Sequence, residues 1–299
     1  MLKRLFFTII FILTISFQAY GQESEKQTAS QPGTENAAAG ARSADGVKIH
    51  YTNYGSADRA LVLVHGWSCD ESYWDKQVEG FKDDYRIVTI DLAGHGESGI
   101  EREDWTIQAY GRDVAAVVNH LDLSEVILIG HSMGGPVCIE AARNLPQKTA
   151  ALIGVDTYQD LTRKMTEQQV DMFMAPFRQN FALQVKNFVK LMFPEHGDTV
   201  LATWVADDMA EADPLIAMSS MRNLFLYDTE KALKEMRKPI RAINTDMFPT
   251  NLQGNQEVTE SFELKIMPGQ GHFLHMENPE EFNKLLAETI HEFWPASNE

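Results

Sequence analysis

The sequence predicts an α/β fold, a mostly parallel sheet with helices on both faces, interrupted by one long helical insertion. Apolar runs of strand length alternate with helix-like patterns from about residue 47 onward. These runs are apolar throughout, as is typical of strands that are covered on both faces. Between residues 157 and 237 the strand pattern disappears. We therefore expect a core formed by residues 45–156 and 238–299, with residues 157–237 as a helical cap inserted after the sixth strand.

The elements follow from local patterns along the chain. Strands are predicted at residues 47–54, 60–64, 86–90, 126–129 and 150–155, and helices between them at 71–81, 105–121 and 135–143. In the second of these helices, apolar residues recur at the spacing of one helix face that packs on a sheet. After the insertion, strands are predicted at 239–244 and 262–267, and a closing helix at 280–293 begins beyond Asn278-Pro279.

The first residues have the pattern of an export signal. Lys3 and Arg4 precede an apolar run over residues 5–17, and small residues follow at the positions that a signal peptidase recognises. We expect residues 1–21 to be cleaved and residues 22–44, which lack apolar periodicity, to form a flexible linker. Because the run is shorter than the roughly 20 residues of a membrane span, no stable membrane insertion is expected after cleavage. The expected location is periplasmic or extracellular.

The net charge argues against two kinds of partner, and the cysteines do not indicate a metal site. The formal net charge is −17, and loss of the export signal would make it more negative by two. An acidic protein is repelled by nucleic acid and by anionic membranes, so neither is an expected partner. Of the two cysteines, Cys138 falls within a predicted helix, and we expect it and Cys69 to remain separate thiols. Neither indicates a metal site.

A buried strand breaks sharply at residues 130–134, GHSMG. The spacing G-x-S-x-G allows a strand to turn directly into a helix while Ser132 is held in a strained conformation. The N-terminus of the following helix directs free N–H groups and a positive dipole end toward any negative charge that develops there. This pattern predicts that Ser132 is a nucleophile.

Two more motifs accompany this one in order. HGW at residues 65–67 follows an early strand, and GHFLHMENP at residues 271–279 precedes the last helix. Together with GHSMGG at residues 130–135, these motifs resemble the α/β-hydrolase family. The resemblance spans about residues 47–295 and implies the α/β-hydrolase fold.

The resemblance also implies roles for individual residues. A serine hydroxyl needs a base to accept its proton, and a neutral imidazole suits that role. By its place after Gly271, His272 corresponds to the catalytic histidine of the family, although His275 competes on sequence alone. The oxyanion hole is expected to use the main-chain N–H groups of Trp67 and Met133. His65 and His131 of these motifs, and His95 in the loop after the strand predicted at 86–90, are expected to shape loops or satisfy hydrogen bonds.

The acid of the triad has two candidates. Most family members carry it after the strand that follows the cap, where direct alignment places Phe248; Asp246 could serve if the turn were shorter. Asp156 ends the strand after Ser132, where haloalkane dehalogenases and pancreatic-type lipases carry their acid. We favour Asp156, with Asp246 as the alternative.

The expected function is that of an exported serine hydrolase that cleaves a small or medium apolar ester, or less readily an amide, through an acyl-enzyme. The many methionine and phenylalanine residues of the insertion predict an apolar pocket beneath the cap. No cofactor or metal is implied, the partner is a small molecule, and the sequence does not indicate an oligomeric state. Alternatives on the same triad are an acyltransferase, a perhydrolase or a carbon-carbon bond hydrolase. A receptor that binds a small ligand with slow turnover is a further alternative.

Overall fold

The computed structural model describes residues 40–295. The export signal expected at residues 1–21 and the linker from residue 22 to 39 lie outside this range. The expectation that the linker extends to residue 44 is wrong, because β1 (Ala41–Arg42) pairs antiparallel with β2 (Lys48–Ile49). Ala41 is buried, and the Ser43 hydroxyl donates to the buried carboxylate of Asp113 at 2.5 Å. Residues 41–43 therefore belong to the folded core and not to the linker that composition suggested.

The main sheet has seven strands in the order β3-β5-β4-β6-β7-β8-β9. β3 runs antiparallel to β5, and the other neighbouring pairs are parallel. The strand predicted at 47–54 is divided between the two sheets at His50, whose N–H donates to the Ser98 hydroxyl instead of a strand neighbour. The strands are β3 (Tyr51–Tyr54), β4 (Arg59–Val64), β5 (Arg86–Ile90), β6 (Glu125–His131), β7 (Thr149–Val155), β8 (Ile240–Thr245) and β9 (Phe262–Met267).

Helices cover both faces of this sheet, as the uniformly apolar strands predicted. Along β4, Leu61 and Leu63 contribute to the core beneath α1 (Asp75–Phe81) and α11 (Pro279–His291). Val62 and Val64 contribute to the opposite core beneath α2 (Ile107–His120) and α3 (Gly134–Asn144). Successive residues of a strand point to opposite faces, so only a continuous apolar run can fill both cores.

Helix boundaries follow local capping. The helix predicted at 71–81 begins as a 3-10 turn over Glu71–Trp74 before α1. Thr106 caps α2, and Asn278 caps α11. Two short helices near the site, α9 (Leu252–Val258) and α10 (Leu274–Glu277), were not predicted.

The helical insertion lies between β7 and β8, and residues 157–237 are called the cap below. It follows β7, the fifth strand of the main sheet, whereas the expectation placed it after the sixth. Within residues 40–295, no helix has the length and apolar character required to cross a membrane. The cap helices are α4 (Glu167–Gln179), α5 (Phe181–Lys190), α6 (Thr199–Met209), α7 (Pro214–Leu226) and α8 (Thr229–Leu233).

Candidate active site

Ser132 lies at the junction of β6, the central strand of the sheet, and α3. Its φ is +52°, a left-handed conformation that costs a residue with a side chain about 1 kcal/mol or more. A Cβ on Gly130 would lie 2.3 Å from the carbonyl oxygen of Gly134. A Cβ on Gly134 would lie equally close to the carbonyl oxygen of Val64 in β4. Both glycines are therefore required for this sharp turn, which presents Ser132 at the carboxyl edge of the sheet.

His272 and Asp156 meet at the same edge. The Nδ1 atom of His272 is 2.5 Å from Oδ2 of Asp156. The histidine side chain is 13% exposed and the aspartate side chain is fully buried. The second carboxylate oxygen of Asp156 accepts the N–H of Thr245 at 3.1 Å, so both oxygens have donors. With Nδ1–H directed at a carboxylate, Nε2 is the ring nitrogen that can accept a proton.

Asp246, the alternative acid, lies elsewhere. Its side chain is exposed, and Oδ1 accepts the main-chain N–H of Gly269 at 2.9 Å. The ring of Phe248 approaches the imidazole of His272 edge-on, with centroids 6.3 Å apart. The position that direct alignment assigned to the acid is thus occupied by an aromatic ring beside the histidine. Of the two candidates, Asp156 is the one that contacts His272.

The HGW loop packs directly against the turn that carries Ser132. A Cβ on Gly66 would lie 3.3 Å from the Cβ of Ser132, so the loop backbone approaches closely. Among the hydrogen bonds of residues 40–295, none uses the main-chain N–H of Trp67 or Met133 as donor. Both residues are buried. Met133 follows Ser132 in the chain, and Trp67 follows Gly66, which packs against Ser132. Both N–H groups therefore belong to segments next to Ser132, and donors of this kind can stabilise an oxyanion.

The histidines at positions 65, 95 and 131 are buried and take part in hydrogen bonds. His65 donates from Nδ1 to the carbonyl of Gly66 at 2.7 Å and accepts the N–H of Leu92 at Nε2. Burial lowers the pKa of His65, and burial beside His65 lowers the pKa of His95 to about 3. His131 is hydrogen-bonded through Nε2 to the main-chain oxygen of His272, and burial lowers its pKa as well. Burial and these hydrogen bonds hold the rings within the loops and the strand end that carry them.

His275, the competitor for the role of base, is fully buried. Its ring packs on Trp74 with centroids 4.7 Å apart and at the same separation from His131. Within residues 40–295 neither ring nitrogen has a hydrogen-bond partner. Burial lowers the pKa of His275 to about 3. Its ring does not contact either candidate acid.

The cap contacts the loops that carry these residues. The indole Nε1–H of Trp67 donates to the carbonyl of Ala217 in α7 at 2.7 Å. The main-chain N–H of His272 donates to the carbonyl of Met192, just after α5, at 2.7 Å. Tyr73 donates its hydroxyl to Asp208 in α6 at 2.6 Å. Sequence reasoning did not identify these contacts. Two of them use a main-chain carbonyl, which has no side-chain signature by which it could be found.

Two recesses lie away from Ser132. They have volumes of about 330 and 450 Å³ and share Gln108, Glu140 and Arg143 as lining residues. Both lie between α2, α3 and the end of the cap, and their walls are mainly polar. The apolar side chains under the cap instead pack on one another and on Trp67. The apolar pocket over Ser132 thus stays a prediction.

Both cysteines are buried and unpaired, as predicted. Burial raises the pKa of each thiol, which keeps both protonated and unreactive. Within residues 40–295, no group of three or more His, Cys, Asp or Glu side chains could hold a metal ion.

The chain is similar to known proteins over most of its length. A family model described as "Alpha/beta hydrolase family" matches residues 61–285. The chain is 28% identical to a bifunctional esterase/perhydrolase of Acinetobacter calcoaceticus, over 81% of this chain and 96% of that protein. It is 23% identical to the karrikin insensitive 2 receptor CA of Petunia hybrida, over 79% and 93% respectively. Among solved structures, an esterase from Exiguobacterium antarcticum has the same fold, with a TM-score of 0.76, 20% identity and coverage of 84% and 98%.

Proposed function

The chain belongs to the alpha/beta hydrolase family, and on that premise we propose that it is a serine hydrolase. Its substrate is a small or medium apolar carboxylic ester, or less readily an amide, cleaved through an acyl-enzyme on Ser132. The observation that carries the proposal is the contact of His272 with Asp156 at the sheet edge where Ser132 adopts a left-handed conformation. This is the arrangement that a serine nucleophile requires: a base, and a carboxylate that orients it.

The proposed reaction has two halves. Ser132 Oγ attacks the carbonyl carbon of the substrate while Nε2 of His272 takes the hydroxyl proton. The negative charge on the carbonyl oxygen is stabilised by the N–H groups of Trp67 and Met133. As the tetrahedral intermediate collapses, the bond to the leaving alkoxide breaks and His272 returns the proton to it. A water molecule, deprotonated by His272, then releases the acid and restores Ser132.

Asp156 has an electrostatic part in both halves. Its carboxylate accepts the Nδ1–H of His272 and so fixes the tautomer in which Nε2 is unprotonated. It also stabilises the imidazolium that forms during each proton transfer, without itself becoming protonated. Because the carboxylate is fully buried, water screens this attraction little.

The primary test is covalent labelling. A fluorophosphonate probe should label the wild-type protein, and Ser132→Ala should abolish the label. Hydrolysis of p-nitrophenyl esters of graded acyl length should show a Ser132-dependent burst, with a preference for short or medium acyl chains. Equal labelling of wild type and Ser132→Ala would refute the proposal.

A slow-turnover receptor is a second candidate because of the similarity to a karrikin insensitive receptor. Tight binding of a small apolar ligand without steady-state turnover of any ester would favour it. The perhydrolase alternative is suggested by the relative from Acinetobacter calcoaceticus. It requires the acyl-enzyme to partition to hydrogen peroxide rather than water, which a peracid assay in the presence of a carboxylic acid detects. Acyl transfer is measured in the same way, with an added alcohol as the acceptor.

Export is part of the proposal and rests on residues 1–21 alone. Expression with its own N-terminus, followed by N-terminal sequencing of the protein from the periplasm or medium, should give a chain that begins at Gln22. A protein retained in the cytosol with Met1 intact would refute it.

A further inference from the structure

The side chain of Trp67 joins the loop beside Ser132 to the cap. Its indole N–H donates to the Ala217 carbonyl at 2.7 Å in a buried environment. Three phenylalanine rings of the cap also contact the indole edge-on, at centroid distances of 6.3, 6.2 and 6.4 Å. They belong to Phe177, Phe181 and Phe188. Aromatic edge contacts add to the stabilisation that burial provides, so the indole is fixed from several directions.

The main chain of Trp67 is held far less firmly. Among the described residues, its carbonyl accepts only the thiol of Cys69, at 3.4 Å, and a thiol is a weak donor. Its N–H has no acceptor within residues 40–295. The next residue, Ser68, has a φ of +56°, which makes the turn costly to maintain by local forces alone. The indole is therefore the strongest anchor of this residue.

We propose that Trp67 is a positioning residue, whose indole, anchored in the cap, sets the position of its own main-chain N–H beside Ser132. This inference rests on the proposed function, in which that N–H stabilises the oxyanion. An oxyanion donor acts only within about 2.7–3.1 Å of the oxygen that becomes charged. A misplacement of about 1 Å can lower a rate by about 10²-fold, so a side chain that fixes this N–H contributes to catalysis without touching substrate.

Tyr73 provides a matched control. Its hydroxyl makes another hydrogen bond between core and cap, to Asp208 at 2.6 Å, and its ring contacts Trp204 with centroids 5.1 Å apart. It lies in the 3-10 turn that follows the HGW loop and carries no proposed oxyanion donor. Tyr73→Phe thus weakens cap docking by one hydrogen bond, as Trp67→Phe does, and leaves the indole of Trp67 with its own contacts to the cap.

The experiment compares an ester with the matching thionoester, in which sulfur replaces the carbonyl oxygen. Sulfur is a poor hydrogen-bond acceptor, so the thionoester gains little from oxyanion donors. For Trp67→Phe we expect kcat on the ester to fall about tenfold with KM changed less than about threefold, because the donor is displaced and not removed. The kcat on the thionoester should fall about twofold or less, so the ratio of kcat on the ester to kcat on the thionoester decreases. Tyr73→Phe should keep the wild-type ratio.

Active-site titration normalises each rate to functional protein, so a reduced folded fraction does not enter the ratio. Should Trp67→Phe fail to fold, Trp67→Tyr retains a ring and also lacks the indole N–H. A wild-type ratio in the Trp67 variant, or an equal fall in Tyr73→Phe, overturns the positioning role while Ser132-dependent hydrolysis persists. Absence of Ser132 labelling in the wild type overturns the proposed function itself, and the positioning role with it.

Discussion

Replacing Asp156 with asparagine should remove most of the activity, by an amount that the geometry sets. An imidazolium and a carboxylate about 4 Å apart attract each other by about 4 kcal/mol at an effective dielectric constant of about 20. Loss of the charge-assisted hydrogen bond from His272 adds about 1.5 kcal/mol. Together, about 5.5 kcal/mol of transition-state stabilisation corresponds to a fall of roughly 10⁴-fold in kcat/KM.

The matched control is Asp246→Asn. Asp246 is exposed, and an asparagine oxygen can still accept the N–H of Gly269, so its kcat/KM should change less than about threefold. Both variants are assayed on one p-nitrophenyl ester after active-site titration, and thermal melting confirms that each is folded. Activity of Asp156→Asn within tenfold of wild type, together with collapse of Asp246→Asn, would refute the assignment and require a different contact for His272 in the working enzyme.

Three further predictions concern stability. His275→Leu should make the protein less sensitive to acid. In the folded state the pKa of His275 is about 3, whereas the unfolded chain binds a proton at this histidine below about pH 6.5. Proton uptake by the unfolded chain therefore lowers the free energy of unfolding of the wild type by about 2 kcal/mol at about pH 5, and urea denaturation of both proteins measures this difference. His50→Gln should lower the melting temperature more at about pH 5.5 than at about pH 8.5. The hydrogen bond to Glu71 raises the pKa of His50, so its stabilisation is complete below about pH 6.5 and is lost as the pH rises through the raised value. Arg102→Met should lower the free energy of unfolding by about 3–5 kcal/mol, because it leaves the buried carboxylate of Asp113 without its charged partner.

Each of these predictions has its own control. His291 is exposed on α11, so His291→Leu should leave acid stability as in the wild type, in contrast to His275→Leu. An effect of His50→Gln that is equal at both pH values would mean that packing and not charge dominates. The double variant of Arg102→Met with Asp113→Leu should recover much of the lost stability, and failure to do so would show that the ion pair is not the origin of the loss.

The sequence predicted the sheet well because local pattern and burial coincide there. In β4 every residue from Ala60 to Val64 is buried, so a run of apolar residues is sufficient evidence for the strand. The predictions that were wrong concern residues whose local structure depends on a single tertiary contact. His50 leaves the strand pattern because Ser98 accepts its N–H, and Ala41 is ordered by pairing with a strand that follows it. Neither contact has a local signature.

The motifs located the nucleophile and base candidates for a similar reason. The glycines around Ser132 are required by contacts within a few residues, and such contacts leave a local pattern. The choice between Asp156 and Asp246 depends on the path of the turn after β8 relative to His272, a matter of three-dimensional distance that spacing does not determine. The cap carbonyls of Met192 and Ala217 could not be found at all, because every residue has a carbonyl group.

The position of the cap in the topology makes it an exchangeable module. β7 and β8 are direct neighbours in the sheet, so the chain leaves and re-enters the core between adjacent strands. The entropy of closing such a loop grows only with the logarithm of its length, and insertions of very different size fit here without a change of strand register. A grafted insertion must supply acceptors for the core donors that face it, among them a carbonyl for the indole of Trp67, a carbonyl for the N–H of His272 and an acceptor for the hydroxyl of Tyr73. Exchange of this one segment can therefore change what covers the sheet edge, while the strands that carry Ser132 and Asp156 remain unaltered.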